Sequence, residues 1–259
     1  GSTGISVGNN SAVLNDGIVV SYTSNGISTG YNSVVTNNGL IEAGVDGIHV
    51  GEDSTVLNSG EIYSDRTSIN GGMPCGIEAG SGSTVTNDGL IISDTASGIT
   101  TYNGSTITNN GVIGADFNGI NAVDGNTIIN NGFIGGDGVT TTYNSVYFEG
   151  PDLVIDPVST GINVGSGNTV TNTSTGTIYA TEYGIYGGDD NFITNEGLIV
   201  SDNHGIQTFY NSSVTNTVSG EIFAGSYMAI KVSPDSYVNN AGLVFSDNQN
   251  GIVAGYNSV

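Results

Sequence analysis

Carboxylate side chains recur at one position of this 259-residue chain, three residues after an apolar residue of a repeated motif. They lie 21 to 29 residues apart, at Asp65, Asp94, Asp116 and Asp137. Carboxylates stacked at the strand spacing of about 4.8 Å repel each other unless a cation neutralises them. Calcium suits such a column because it accepts carboxylate and carbonyl oxygens in flexible geometry. The column predicts a calcium site at these four residues; solvated turn residues without a metal are the open alternative.

A second set of residues could cleave glycans. Asp189 and Asp190 are followed about one repeat later by His204, and glycoside hydrolases use paired carboxylates. No Arg-x-Lys segment accompanies them, and the two basic residues, Arg66 and Lys231, lie far apart in the repeat order. We therefore expect a non-catalytic protein, with a glycan-degrading hydrolase as the alternative.

The remaining titratable residues suggest no further chemistry. Cys75 is the single cysteine, so neither an internal disulfide nor a thiolate cage is expected. His49 and His204 are predicted to be isolated outward residues rather than ligands.

The charge balance restricts the partners. The chain has 24 Asp and Glu residues but only two basic residues, Arg66 and Lys231, which gives a formal net charge of -22. Such a surface repels phosphate, so nucleic acid and anionic lipid are not expected to bind. No apolar run is long enough to insert into a membrane. Cations, neutral glycans, cell-surface proteins and other copies of the chain remain as partners.

A repeat of about 22 residues positions all of these side chains. Each unit contains a Gly-Ile pair, then a Val or Ile followed two residues later by asparagine, and then a third apolar residue after a glycine. The asparagines are Asn15, Asn37, Asn58, Asn87, Asn109, Asn130, Asn172, Asn195, Asn216 and Asn240.

Three short alternating segments per repeat, with no helical period, predict an all-β fold. We expect a right-handed parallel β-helix (β-solenoid) of about 11–12 coils, with three short strands per coil. The handedness follows the crossover preference of parallel strands. The asparagines should stack as a ladder whose amides satisfy backbone groups buried at a corner.

A second corner is predicted three residues before each Val or Ile of the ladder segment. Only residue types that tolerate positive φ occur there, so a left-handed conformation is expected in every coil. The positions are Asn10, Asn32, Asp53, Gly82, Gly104, Gly125, Gly167, Asp190, Asn211 and Asp235.

The chain is expected to be one solenoid over residues 1–259, a segment of a longer array, with two breaks in its period. Extra residues near 65–75 predict a longer corner. The repeat length doubles around 138–160, where Tyr147 and Glu149 align with the Val and Asn columns and predict a degenerate coil. An inserted surface loop is the alternative there.

Four tyrosines share a Y-N-S motif beside the left-handed corner, at Tyr31, Tyr143, Tyr210 and Tyr256. As a row of exposed aromatics they could contact sugar rings or another rod. Covering a corner between coils is the alternative.

Coils of the form G-I-x-x-G-x-N-S-x-V-x-N-x-G-x-I resemble the passenger domains of bacterial autotransporters and related haemagglutinin-like secreted β-helix proteins. The resemblance implies an extracellular or cell-surface protein. It implies a structural or adhesive rod or fibre that associates with itself or attaches to cells and glycans, or an adhesin passenger that binds a host ligand.

Overall fold

The structure is a computed structural model that describes residues 2–64, 74–136 and 158–259. These residues form parallel β-strands and no helix, so no helix long and apolar enough to cross a membrane occurs among them. The prediction of an all-β parallel β-solenoid with coils about 22 residues apart is confirmed.

Each of ten coils contributes one strand to each of three stacks, which we name in chain order, and the first stack has an eleventh strand at Ile252–Ala254. The first stack contains the Gly-Ile segments: Ile5–Ser6, Ile27–Ser28, Ile48–Val50, Ile77–Ala79, Ile99–Thr101, Asn118–Ala122, Val158–Val164, the second half of Thr177–Gly187, His204–Thr208, Ile230–Val232 and Ile252–Ala254. The second stack contains the ladder segments: Ala12–Asn15, Val34–Asn37, Thr55–Asn58, Thr84–Asn87, Thr106–Asn109, Thr127–Asn130, Thr169–Asn172, Phe192–Asn195, Ser213–Asn216 and Tyr237–Asn240.

The third stack follows the glycine of each ladder segment. Its strands are Ile18–Ser21, Leu40–Ala43, Glu61–Ser64, Leu90–Ser93, Val112–Ala115, Phe133–Gly135, the first half of Thr177–Gly187, Leu198–Ser201, Glu221–Ala224 and Leu243–Ser246. The strand Thr177–Gly187 therefore continues around the corner from the third stack into the first.

Equivalent residues of successive coils pair in register, which creates the core. In the first stack Ile77 pairs with Ile48 on one side and with Ile99 on the other, and all three are fully buried. The Val and Ile columns of the other two stacks are buried in the same way. Because side chains alternate in and out along each strand, one apolar column per strand fills the interior.

The left-handed corners are confirmed at all ten predicted positions, with φ between 53° and 71°. Six of these residues are Asn or Asp and four are Gly. Asn257 adopts the same conformation in the final coil.

The asparagines form one continuous chain of side-chain hydrogen bonds along the second stack. Asn87 Nδ2 donates to Asn109 Oδ1 at 2.9 Å, and Asn109 Nδ2 donates to Asn130 Oδ1 at 2.9 Å and to the Phe133 carbonyl oxygen at 3.3 Å. Nine such bonds join the ten asparagines. Each of the eight inner amides thus links its own coil to both neighbours.

A second polar ladder, which the sequence analysis missed, lies at the entrance to the second stack. Ser54 N–H donates to Ser83 Oγ at 3.1 Å, and further along Asn126 N–H donates to Asn168 Oδ1 at 2.8 Å. Its members lie one residue beyond the left-handed corner and are buried. Both ends of each ladder strand are therefore secured by side-chain oxygens from the next coil.

The coils on either side of residues 137–157 are direct neighbours. Ile128 pairs with Val170, and Asn130 Nδ2 donates to Asn172 Oδ1 at 2.8 Å. The valine and asparagine columns therefore continue directly from one of these coils to the other. The degenerate coil predicted from the sequence includes Tyr147 and Glu149. Those two residues lie outside the described residues, as does most of the corner insertion near 65–75.

The second stack accordingly has ten strands among the described residues, which gives about ten coils instead of the 11–12 expected. The predicted number of 11–12 coils included the degenerate coil around residues 138–160.

We expect Asn109→Ala to destabilise the fold. The substitution removes the bonds from Asn87 Nδ2 to Asn109 and from Asn109 Nδ2 to Asn130 and Phe133. It leaves Asn130 Oδ1 without its amide donor in the interior, and each buried polar group that loses its partner costs about 1–3 kcal/mol. Urea unfolding should show a loss of at least about 2 kcal/mol. Thr108→Ala, at the adjacent outward position, is the matched control and should cost less than about 1 kcal/mol. Equal stability of the two variants would contradict a stabilising role for the ladder.

Candidate functional site

A cluster of titratable side chains lies on the outer face of the first stack. His49 and Glu78 are paired residues on adjacent strands, each following the buried isoleucine of a Gly-Ile pair. Their side chains therefore point outward side by side, and His49 Nδ1 lies 3.1 Å from Glu78 Oε2.

Asp46 approaches the same histidine from the corner that precedes the strand. Its Oδ2 lies 3.5 Å from His49 Nδ1, and only 7% of its side-chain surface is exposed. The other oxygen, Oδ1, accepts a hydrogen bond from the Cys75 backbone N–H at 3.0 Å. The carboxylate is therefore held in place by the neighbouring coil.

Glu78 is fixed by the coil on its other side. The Tyr102 hydroxyl donates to Glu78 Oε1 at 2.8 Å, which leaves Oε2 to face His49. The Cys75 thiol lies beneath this layer, 3.1 Å from the Thr100 hydroxyl. Three successive coils thus build the cluster.

Electrostatics in the cluster favour the ion pair. The Asp46 and Glu78 carboxylates raise the pKa of His49 from 6.5 to about 10, and His49 in turn lowers the pKa of Glu78 to about 2. Burial raises the pKa of the Cys75 thiol to about 12, and the bond to Glu78 raises the pKa of Tyr102 to about 12. At neutral pH His49 is therefore protonated and Cys75 is a thiol.

The prediction that His49 is isolated is wrong. The extra residues near 65–75 lengthen the spacing between His49 and Glu78 to 29 residues, which hides their relation when a constant period is assumed. The signal was nevertheless present, because each is the residue that follows a Gly-Ile pair.

Two of the four aspartates predicted to bind calcium are described. Asp94 and Asp116 follow adjacent strands of the third stack, and their backbone N–H groups donate to the carbonyl oxygens of Ser64 and Ser93. Asp65 and Asp137 lie outside the described residues. Calcium binding at this column stays a prediction.

The residues considered for glycan hydrolysis have roles at corners. Asp189 Oδ1 accepts a hydrogen bond from the Tyr210 N–H at 3.0 Å, and Asp190 is a left-handed corner whose carboxylate binds Asn211. His204 is buried between aromatic rings.

His204 belongs to an aromatic patch on one side of the first stack. Its ring is stacked between those of Tyr183, with centroids 5.2 Å apart, and Tyr227, with centroids 4.9 Å apart. Tyr186 contacts both Tyr183 and Phe209. Burial lowers the pKa of His204, and the positive charge of Lys231 lowers it further. The stacked ring is therefore neutral at physiological pH.

The Y-N-S tyrosines are exposed but do not form a continuous row. Six other residues occupy the same corner position in the coils between Tyr31 and Tyr210, and Pro234 separates Tyr210 from Tyr256. Tyr143 lies outside the described residues.

The outer surface of the second stack differs from the rest of the molecule. Its ten strands present two outward residues each, and most of these residues are threonine. The outward residues form two columns: Thr84, Thr106 and Thr127 pair in one, and Thr86 pairs with Thr108 in the other. The remaining members are Ala12, Leu14, Val34, Thr36, Thr55, Leu57, Ile129, Thr169, Thr171, Phe192, Thr194, Ser213, Thr215, Tyr237 and Asn239. No side chain of this set, which we call the threonine face, is charged.

Comparisons of the chain with protein-family models, with curated proteins and with solved structures find no match.

The His49 ion pair predicts a characteristic pH dependence of stability. Because the pKa of His49 is raised in the folded state, its contribution is complete below about pH 6.5 and is lost as pH rises through about 10. Because the pKa of Glu78 is lowered from 4.5, its contribution is present above about pH 4.5 and is lost as pH falls through about 2. The stability difference between the parent and His49→Asn should therefore be largest between about pH 4.5 and pH 6.5, and it should shrink toward pH 10.

Urea unfolding of both proteins in EDTA, from pH 4 to 10, measures this difference. His204→Asn is the control with the opposite sign, because a lowered histidine pKa destabilises the folded state as pH falls below about 6.5. A His49→Asn difference that stays constant from pH 5 to 10 would contradict the ion pair.

Proposed function

We propose that this protein is an extracellular structural and adhesive rod whose threonine face associates with the same face of a second copy. One observation carries the proposal: in a chain of net charge -22, the outward residues of ten consecutive strands include no charged side chain. Depletion of charged residues is the compositional mark of an interface core. The resemblance of the coils to autotransporter passengers supports an extracellular location.

The distribution of charge explains why this face is favoured for self-association. The third stack presents Glu42, Glu61 and Glu221 outward, and the corners carry further aspartates. Two copies that met through those surfaces would bring like charges together. A face-to-face contact through the second stack places the charges of both copies at the periphery.

The dimensions fit a weak but extendable contact. Ten strands at about 4.8 Å give a face about 48 Å long, and four residues per strand give a width of about 13 Å. About 600 Å² per partner, or about 1,200 Å² in total, is at the lower end of specific interfaces. Many such rods on a surface would reach a high avidity from a reversible pairwise contact.

We expect the purified protein to form dimers reversibly and Thr108→Glu to weaken them at least tenfold. In a two-fold interface the substitution introduces a charge from each copy, and removing a charge from water without a partner is costly. Sedimentation velocity over a range of concentrations measures the dissociation constant. Thr177→Glu, which places the same charge on the third stack, is the matched control and should leave dimerisation unchanged.

Salt gives a second readout. Association should strengthen as sodium chloride is raised from 20 to 300 mM, because salt screens the overall repulsion between two acidic rods and the interface itself has no attractive ion pair. A monomer at every concentration, or dimers that Thr108→Glu and Thr177→Glu weaken equally, would refute association through the threonine face.

Attachment to neutral glycans is a second candidate, and the aromatic patch favours it. Tyr227 has 48% of its surface exposed at the end of the stack with His204 and Tyr183, and such a face suits the apolar side of a sugar ring. The molecule's negative charge is compatible with an uncharged polysaccharide.

A panel of neutral oligosaccharides, titrated by NMR, tests this second candidate. Shifts should concentrate on the aromatic patch and should be lost in Tyr227→Ala, whereas Tyr31→Ala, which removes an exposed tyrosine far from the patch, should retain them. Absence of shifts with every oligosaccharide would remove glycan attachment through the aromatic patch.

A further inference from the structure

Asp46, His49 and Glu78 have the mutual geometry of metal ligands. One atom of each lies within 4.8 Å of the others: Asp46 Oδ2, His49 Nδ1 and Glu78 Oε2. Ligand atoms bound at about 2.1 Å to a tetrahedral zinc ion are separated by about 3.4 Å. The distances from His49 Nδ1, 3.5 Å to Asp46 and 3.1 Å to Glu78, bracket that separation.

Hydrogen bonds hold the carboxylates of Asp46 and Glu78 in the way that is usual for carboxylates that bind a metal ion. In metal sites the oxygen that does not bind the ion accepts a hydrogen bond from a surrounding group, which fixes the orientation of the ligand. Here the Cys75 N–H holds Asp46 Oδ1, and the Tyr102 hydroxyl holds Glu78 Oε1. Both remaining oxygens face the same imidazole nitrogen. An ion that displaces the Nδ1 proton of His49 to solvent can therefore bind with little rearrangement of the side chains.

The geometry points to a metal site in which Asp46, His49 and Glu78 bind a first-row divalent transition-metal ion of the zinc class. One imidazole nitrogen and two carboxylate oxygens suit Zn²⁺, Co²⁺, Ni²⁺ or Mn²⁺, whereas calcium prefers oxygen ligands alone. Three protein ligands leave at least one coordination position for water or for a group from a partner.

The position of the site favours selective binding. His49 lies at the surface, with 39% of its side chain exposed, so an ion can enter, while Asp46 is almost fully buried and hydrogen-bonded to the Cys75 N–H. The strongly negative chain attracts cations in general, but an imidazole nitrogen distinguishes this site from the aspartate column of Asp94 and Asp116. The ion would also connect two adjacent coils, because Asp46 and Glu78 belong to different ones.

Isothermal titration of the EDTA-stripped full chain with Zn²⁺ alone tests the site. We expect one zinc per chain, with affinity reduced at least tenfold in His49→Ala and Glu78→Gln. Asp116→Asn and His204→Gln, which remove a carboxylate and an imidazole elsewhere, are matched controls and should retain the parent affinity. Tyr102→Phe should weaken binding about tenfold, because it frees the outer oxygen of Glu78.

A second measurement separates ligation from misfolding. The cobalt form should show the visible absorption bands of a bound Co²⁺ ion, and these should disappear in Glu78→Gln even though its circular dichroism in EDTA matches that of the parent. Failure to bind zinc saturably, or zinc binding that persists in both His49→Ala and Glu78→Gln, would overturn the proposal and leave the cluster as an ion pair only. Dimerisation through the threonine face is measured separately in EDTA, so the two proposals fail independently.

Discussion

The fold depends on satisfying the backbone and side-chain polar groups that every coil buries at its corners. A parallel solenoid hides the ends of its strands as well as their middles, and an unpaired polar group there is costly. The asparagine ladder meets this demand at one end of each ladder strand, and the Ser and Asn hydroxyl and amide oxygens meet it at the other. Since each of these bonds reaches the next coil, the buried polar groups of one coil have their partners only when the neighbouring coils are present.

Stacking in register then turns a position in the repeat into a column on the surface. The outward residues of the second stack become the threonine face. The residue after the first isoleucine of each coil becomes an outward column of the first stack that includes His49, Glu78 and Lys231. Charge is thereby separated in space: acidic residues lie at the corners, on the third stack and, at Glu78, on the first stack, and the second stack carries none among its outward residues. This distribution is the basis of the proposed association through the threonine face.

The cluster at Asp46 shows how the stacking of coils brings titratable side chains together. Most outward residues of the first stack are uncharged, but here three coils place a histidine, two carboxylates and a tyrosine in one hydrogen-bonded group. The side chains are oriented by backbone and hydroxyl donors of adjacent coils, so the cluster exists only when those coils are stacked. The same stacking gives His204 its aromatic neighbours from the coils on either side.

The sequence by itself determined the solenoid, its columns and its ten left-handed corners, because period, alternation and residue types that accept positive φ are local properties. It also determined the ladder, since an asparagine without exception at one position has few physical explanations. Only the tertiary structure decided which coils are neighbours. Ile128 pairs with Val170 across 42 residues, and His49 meets Glu78 across 29. Extra residues between two coils lengthen the chain between them without changing the order of the coils. At these two positions the distance along the sequence therefore does not predict the distance in space.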